Sequence, residues 1–250
     1  MEKNVRLKSY DTSEEVYASQ YRHLVGRLLY LTVTRRDIAY SVNQLSQFLS
    51  KPRKTHMDVA FQVLRYLKGT PGQDLFFPSS GGLELLAYCD ASWLSCPLTK
   101  RSRTGYFICL GGAPISWRTK KQSVVSRSSA ESVYRAMATT VYEVLWLRWL
   151  LKYFDATQVG ATPLLCDNEA TRHIALNPVY HERTKHVEMD CYFVRERVNN
   201  GDVKPCAIRS EFKLADIFTN ALGTDRFLFL RDKLGVRDLH VPTFGGVLRL

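Results

Sequence analysis

Four carboxylates set the chemistry that this sequence could support. Asp90 ends the apolar run LELLAYCD and Asp167 ends TPLLCD, while Glu131 follows SRSSA at the head of a long apolar-periodic segment and Asp216 lies in KLADIFTNAL. Two acids at strand ends and two on helices suit a site for two divalent ions, because hard cations take carboxylate oxygens. Such ions clamp an in-line displacement, one activating the attacking water and the other stabilising the departing oxygen. On this reading Asp90 bridges the two ions, Glu131 and Asp167 each complete one ion's shell, and Asp216 holds the site more loosely from the last helix. Each acid alone has a plainer reading. Asp90 and Asp167 open turns after strands, Asp216 is a solvated helical position, and Ser128-x-x-Glu131 is a capping box. The joint pattern carries the claim.

These acids need a sheet to gather them. Strand-favouring residues predict strands over 83–89, 104–110, 114–118, 162–166 and 203–209, the second and third joined by Gly-Gly as a hairpin. A short strand is expected at Phe76 and Phe77. Helical spacing predicts a long helix from Glu131 to about residue 152, shorter ones near 169–176 and 186–198, and a last one over 212–222. Ahead of them, 17–31, 37–49 and 57–67 read as three helices, the last stopped by KGTPG. The order gives an α/β fold, a mixed sheet with helices on its faces, behind a helical unit. PSSGG is the linker, so the expected division is 1–78, 83–222 and a tail from 223 to 250.

The chain has 250 residues, 45% of them hydrophobic, enough for a sizeable core. Lys and Arg number 35 against 24 Asp and Glu, a formal charge of +11. That excess favours a polyanionic partner, nucleic acid before membrane, since no basic amphipathic helix stands out. No apolar run reaches the roughly 18 residues of a membrane span, and no signal peptide opens the chain. The six cysteines lack paired short spacing and read as reduced, so an intracellular setting, cytoplasmic or nuclear, is expected. His181, His186 and Cys191 match no common zinc spacing. Phosphate contacts are expected from two basic clusters that flank the motif acids: Lys100, Arg101 and Arg103, then Arg118, Lys120, Lys121 and Arg127.

LVGRLLYLTVTRRDIAYSVNQLSQF, VLRYLKGTPG, YCDASW, ISWRTKKQSVVSRSSAESVYRA, CDNEA, RTKHVEMD and LADIFTNAL resemble, in order, the carboxyl-terminal part of copia-type retrotransposon polyproteins, over roughly residues 17 to 235. That part is the end of the reverse transcriptase followed by its ribonuclease H domain. The resemblance implies a ribonuclease H-like, five-stranded mixed sheet, with Asp90, Glu131, Asp167 and Asp216 as an acidic tetrad. It also implies two Mg²⁺ ions, with Mn²⁺ as an alternative, and hydrolysis of the RNA strand of an RNA–DNA hybrid. A partnership with the polymerase part of a reverse transcriptase follows as well, because the Tyr-x-Asp-Asp polymerase motif is absent here and this chain alone should not synthesise DNA. Selection of RNA would come from 2′-hydroxyls in the minor groove, with Ser126, Ser128 and Asn168 as polar readers. The sequence departs from the family's usual pattern at Ser92, at Asn220 and at Arg36, where Asp, Lys and Pro are usual. The loop before the last helix, CAIRSEF, lacks the His that many ribonucleases H carry there.

Overall fold

A computed structural model describes residues 7, 12–78, 81–177 and 187–238. Its centre is a five-stranded sheet in the order β4-β3-β2-β5-β6, built from β2 (Leu85–Ser92), β3 (Arg103–Leu110), β4 (Ala113–Lys121), β5 (Thr162–Cys166) and β6 (Val203–Ala207). The first three strands form an antiparallel meander, and β5 and β6 add in parallel beside β2. This is the mixed sheet that the motif order implied, in ribonuclease H-like form. β2 runs three residues beyond its expected end, so Asp90 lies within the strand, opposite Gly105 of β3.

Both faces of the sheet are covered, which is why β3 reads as an almost unbroken apolar run. One face carries Leu85, Ala87, Cys89, Tyr106 and Ile108 against α4 (Ser129–Tyr153), with α5 (Glu169–Leu176) and α6 (Glu188–Asn199) beside it. Val133, Met137, Val141 and Val144 recur at helical spacing along α4 and are buried there. The other face carries Phe107 and Cys109 against α7 (Asp216–Thr219) and α8 (Thr224–Lys233).

The expected last helix over 212–222 is a single turn. Phe218 stacks with Phe107 at 6.1 Å and Thr219 turns its hydroxyl to Asp90, so the sheet takes both side chains, and Asn220 is extended. Residues 224–238, expected as tail, instead form α8 and β7 (Val236–Asp238). β7 pairs antiparallel with β1 (Gln73–Leu75), which lies just before the strand expected at Phe76 and Phe77. Residues 239–250 lie outside the described residues.

The amino-terminal helices α1 (Ala18–Leu31), α2 (Ala39–Leu45) and α3 (Lys54–Lys68) enclose a core of Tyr21, Val25, Leu45, Val59 and Val63. The expected 37–49 helix is divided into α2 and a 3₁₀ turn on either side. This unit leans on the sheet: the Trp117 indole N–H donates to Thr32 O at 3.3 Å and the Asn43 amide to Thr119 O at 3.1 Å. Arg36 is fully buried at this junction, its guanidinium 4.4 Å from the Trp117 ring, and among the described residues none of its three nitrogens has a hydrogen-bond acceptor. Burial lowers its pKa to about 10. The ring's attraction, about 2 kcal/mol when desolvated, falls short of the several kcal/mol that an unpaired buried cation costs. Arg36→Met is therefore expected to stabilise the fold by about 1–3 kcal/mol in urea denaturation. A loss of stability would show that the stacking outweighs desolvation.

Candidate functional site

Three of the four acids converge. β2 delivers Asp90, the residue after β5 is Asp167, and α7 begins at Asp216. Neighbouring parallel strands place Asp90 and Asp167 side by side at their carboxyl-terminal ends. α7 can lie close to Asp90 because Gly105, opposite it on β3, has no side chain. A Cβ there would sit 2.5 Å from Thr219 Cγ2 and 3.1 Å from Ala215 O.

A lysine stands between the two strand acids. The Lys213 ammonium donates to Asp90 Oδ1 at 2.7 Å and to Asp167 Oδ2 at 2.9 Å. The remaining contacts also come from the protein. Asp90 Oδ2 accepts from the Thr219 hydroxyl, Asp167 Oδ2 from Ser210 at 2.8 Å, and Asp216 Oδ1 from the Asn220 amide at 2.6 Å. Arg226 lies 3.6 Å from Asp216 Oδ2. Two of the residues that close the site, Lys213 and Asn220, flank Asp216 in KLADIFTNAL, and Asn220 stands where the resembled family's usual residue is Lys.

Burial decides the electrostatics of Asp90, whose side chain is 3% exposed. Desolvation lifts its carboxyl above the usual range despite Lys213 and Thr219, and the Asp216 carboxylate adds to the rise. For Asp167 desolvation also acts upward, but Lys213 and Ser210 outweigh it and the pKa falls below the ordinary Asp value. Desolvation alone would lower the Lys213 pKa, yet the two carboxylates raise it above the ordinary lysine value, so the ammonium stays charged.

Glu131 is used elsewhere. Its backbone N–H donates to Ser128 Oγ at 3.1 Å, Oε2 accepts from the Arg127 N–H at 2.8 Å, and Oε1 accepts from Arg135 Nη2 at 3.0 Å. Arg135 in turn lies 3.6 Å from Asp190 on α6. The helix-capping reading describes these contacts, except that the carboxylate reaches the residue before the cap. Among the described residues, no group of three or more His, Cys, Asp and Glu side chains is placed to hold a metal ion. Cys191 is buried in α6, while His181 and His186 lie outside the described residues.

The basic residues divide. Lys100, Arg118, Lys120 and Arg127 are exposed, and Arg101 is half-buried. Arg103 is not on a loop: it opens β3, is fully buried, lies 5.3 Å from the Tyr40 ring and donates to Asn43 Oδ1, so it offers nothing to a phosphate. Lys121 is half-buried, with its ammonium 3.3 Å from Gln47 Oε1. Ser128 and Asn168 cap α4 and α5. Ser126 is buried against Gln122 and is no reader of a groove.

No family model matches the chain. It is 37% identical over 231 residues to the retrovirus-related Pol polyprotein from transposon RE1 of Arabidopsis thaliana, covering 92% of this chain and 16% of that protein. To the corresponding polyprotein from transposon RE2 of the same plant it is 39% identical over 93% of this chain and 16% of that protein. The chain thus spans about a sixth of the length of these relatives. Among solved structures, LC11-RNase H1 in complex with an RNA/DNA hybrid overlays at a TM-score of 0.42 and 11% identity, covering 54% of this chain and 94% of that one. That likeness is weak, and the fold assignment stands on the strand order. Identity of 37% and 39% across nine-tenths of the chain places it in the family of retrovirus-related Pol polyproteins from transposons.

Proposed function

We propose that this chain is a ribonuclease H-type module whose ligand is an RNA–DNA hybrid. The observation that carries the reading is the convergence of Asp90, Asp167 and Asp216, from three separate elements, at the carboxyl-terminal ends of the central strands of a mixed sheet. The exposed cations Lys100, Arg118, Lys120 and Arg127 support a phosphate backbone as the partner. In its full form the reading is endonucleolytic hydrolysis of the RNA strand with two Mg²⁺ or Mn²⁺ ions. When bound, such ions would activate a water and stabilise the leaving oxygen. The residues present do not fit a pair of ions, because a lysine ammonium fills the space between two of the carboxylates and Glu131 serves Arg135. Hybrid binding without turnover is the form that these contacts favour.

The polymerase part is, on this reading, a neighbour in the longer polyprotein. Tyr142, Trp146, Trp149 and Tyr153, more than half exposed along α4, are the apolar surface available to it. The six cysteines, none of them disulfide-bonded among the described residues, support an intracellular setting. No helix of the described residues is long and apolar enough to cross a membrane.

Labelled hybrid, duplex DNA and duplex RNA, incubated with the purified chain and Mg²⁺ and read for both retention and cleavage, test the proposal. Preferential retention of the hybrid is expected, with no cleavage beyond that of Asp90→Asn. Equal retention of all three duplexes would refute the hybrid as ligand, and cleavage that Asp90→Asn abolishes would establish the full hydrolase instead.

A further inference from the structure

We infer that Lys213 is a resident cation that replaces the divalent ions of the acid site, so that the chain keeps its carboxylates together without metal and excludes metal from between them. The inference rests on the ribonuclease H-type reading of Asp90, Asp167 and Asp216 and deepens it.

Geometry supports the substitution. One ammonium bridges an oxygen of Asp90 at 2.7 Å and an oxygen of Asp167 at 2.9 Å. An ion bridging the same two oxygens would need the space that the ammonium holds, since Mg²⁺ takes its ligands at about 2.0–2.1 Å. Entry would therefore require the lysine to leave. The Lys213 side chain is only 10% exposed and lies between the two acids. Moving it would strip a cation of both partners inside the fold and bring a second cation into the same field.

The rest of the network completes the closure. Thr219 occupies the second oxygen of Asp90, Ser210 shares Asp167 Oδ2 with Lys213, and Asn220 and Arg226 attend the two oxygens of Asp216. Three carboxylates face two protein cations, Lys213 and Arg226, which leaves one net negative charge where an ion-binding site would carry three. Affinity for a hard dication follows the number and charge of its oxygen ligands, and both are reduced here.

Mn²⁺ alone is the probe, counted by loss of the free-ion paramagnetic resonance signal on the full chain. Wild type is expected to show no site dependent on Asp90. Lys213→Gln keeps a polar side chain, one bond shorter, and removes its charge. It is expected to take up Mn²⁺ at least about tenfold more tightly than wild type, and to lose that site when Asp90→Asn is added. If the variant is marginally stable without ions, Mn²⁺ should raise its melting midpoint while leaving that of wild type unmoved. Equal Mn²⁺ affinity in wild type and Lys213→Gln, or a folded Lys213→Gln that takes none, would overturn the inference. Neither outcome depends on nucleic acid, so the inference and the hybrid-binding reading fail separately.

Discussion

Lys213→Met is expected to lower the unfolding free energy by about 3–5 kcal/mol at neutral pH, the cost of removing one partner from a buried ion pair. Asp90, 3% exposed, would keep the Thr219 hydroxyl, and Asp167, 19% exposed, the Ser210 hydroxyl and a backbone N–H, with two carboxylates then facing each other across the gap. Adding Asp90→Asn removes one of those charges and should recover part of the loss, with a coupling of about 0.5–3 kcal/mol in a double-mutant cycle. The pH dependence has a definite sign. Asp90 already sits above the ordinary Asp value because of burial, and Lys213 opposes that rise, so its removal moves the carboxyl further up. A carboxyl raised in the folded state contributes stability that is present at low pH and lost as pH rises through the folded value. The deficit of Lys213→Met relative to wild type should therefore shrink on acidification toward the ordinary Asp value of about 3.9. Urea denaturation across that range measures it. A loss of under about 1 kcal/mol would mean that Lys213 behaves as a surface cation.

The strands were legible because each carries its own pattern. LELLAYCD, TGYFICL, PISWR, TPLLC and the run after NNGD all became strands, and the Gly-Gly turn became a hairpin. Asp90 and Asp167 were legible with them, since a carboxylate at the end of a buried strand has few places to go. The roles of Glu131 and Lys213 turn on their partners, which lie at very different distances along the chain. Glu131 at the third helical position has Arg135 one turn on, a spacing that favours a pair along the helix, and that signal was present in SAESVYR. Lys213 meets acids 123 and 46 residues away, contacts that no local pattern encodes. Lysines are almost never fully buried unless paired, so a lysine three residues before a motif acid reads as solvated. Arg103, expected to contact phosphate, is covered instead by the helical unit, whose Asn43 lies 60 residues earlier in the chain, a contact that no local pattern encodes. The one-turn α7 illustrates tertiary override: ADIFTNAL has helical spacing, but Phe218 and Thr219 serve the sheet.

Binding of the hybrid should weaken by about 500-fold between 50 and 200 mM salt. The figure follows from five cations with access to phosphates, Lys100, Arg101, Arg118, Lys120 and Arg127, once Arg103 and Lys121 are set aside as engaged within the protein. Each neutralised phosphate contributes about −0.9 to the slope of log affinity against log salt for B-form DNA, so five give about −4.5, and a fourfold rise in salt costs about 4 raised to 4.5. The combined change Arg118→Ala, Lys120→Ala and Arg127→Ala should reduce the slope by about 2.7 and weaken binding similarly across sequences, because backbone contacts carry no base information. Arg103→Ala is the discriminating control. Its guanidinium is buried against Tyr40 and Asn43, so the change should cost folding stability and leave the slope where it was. A slope that falls with Arg103→Ala and stays with the triple variant would place the nucleic acid on a different face from the one these cations mark.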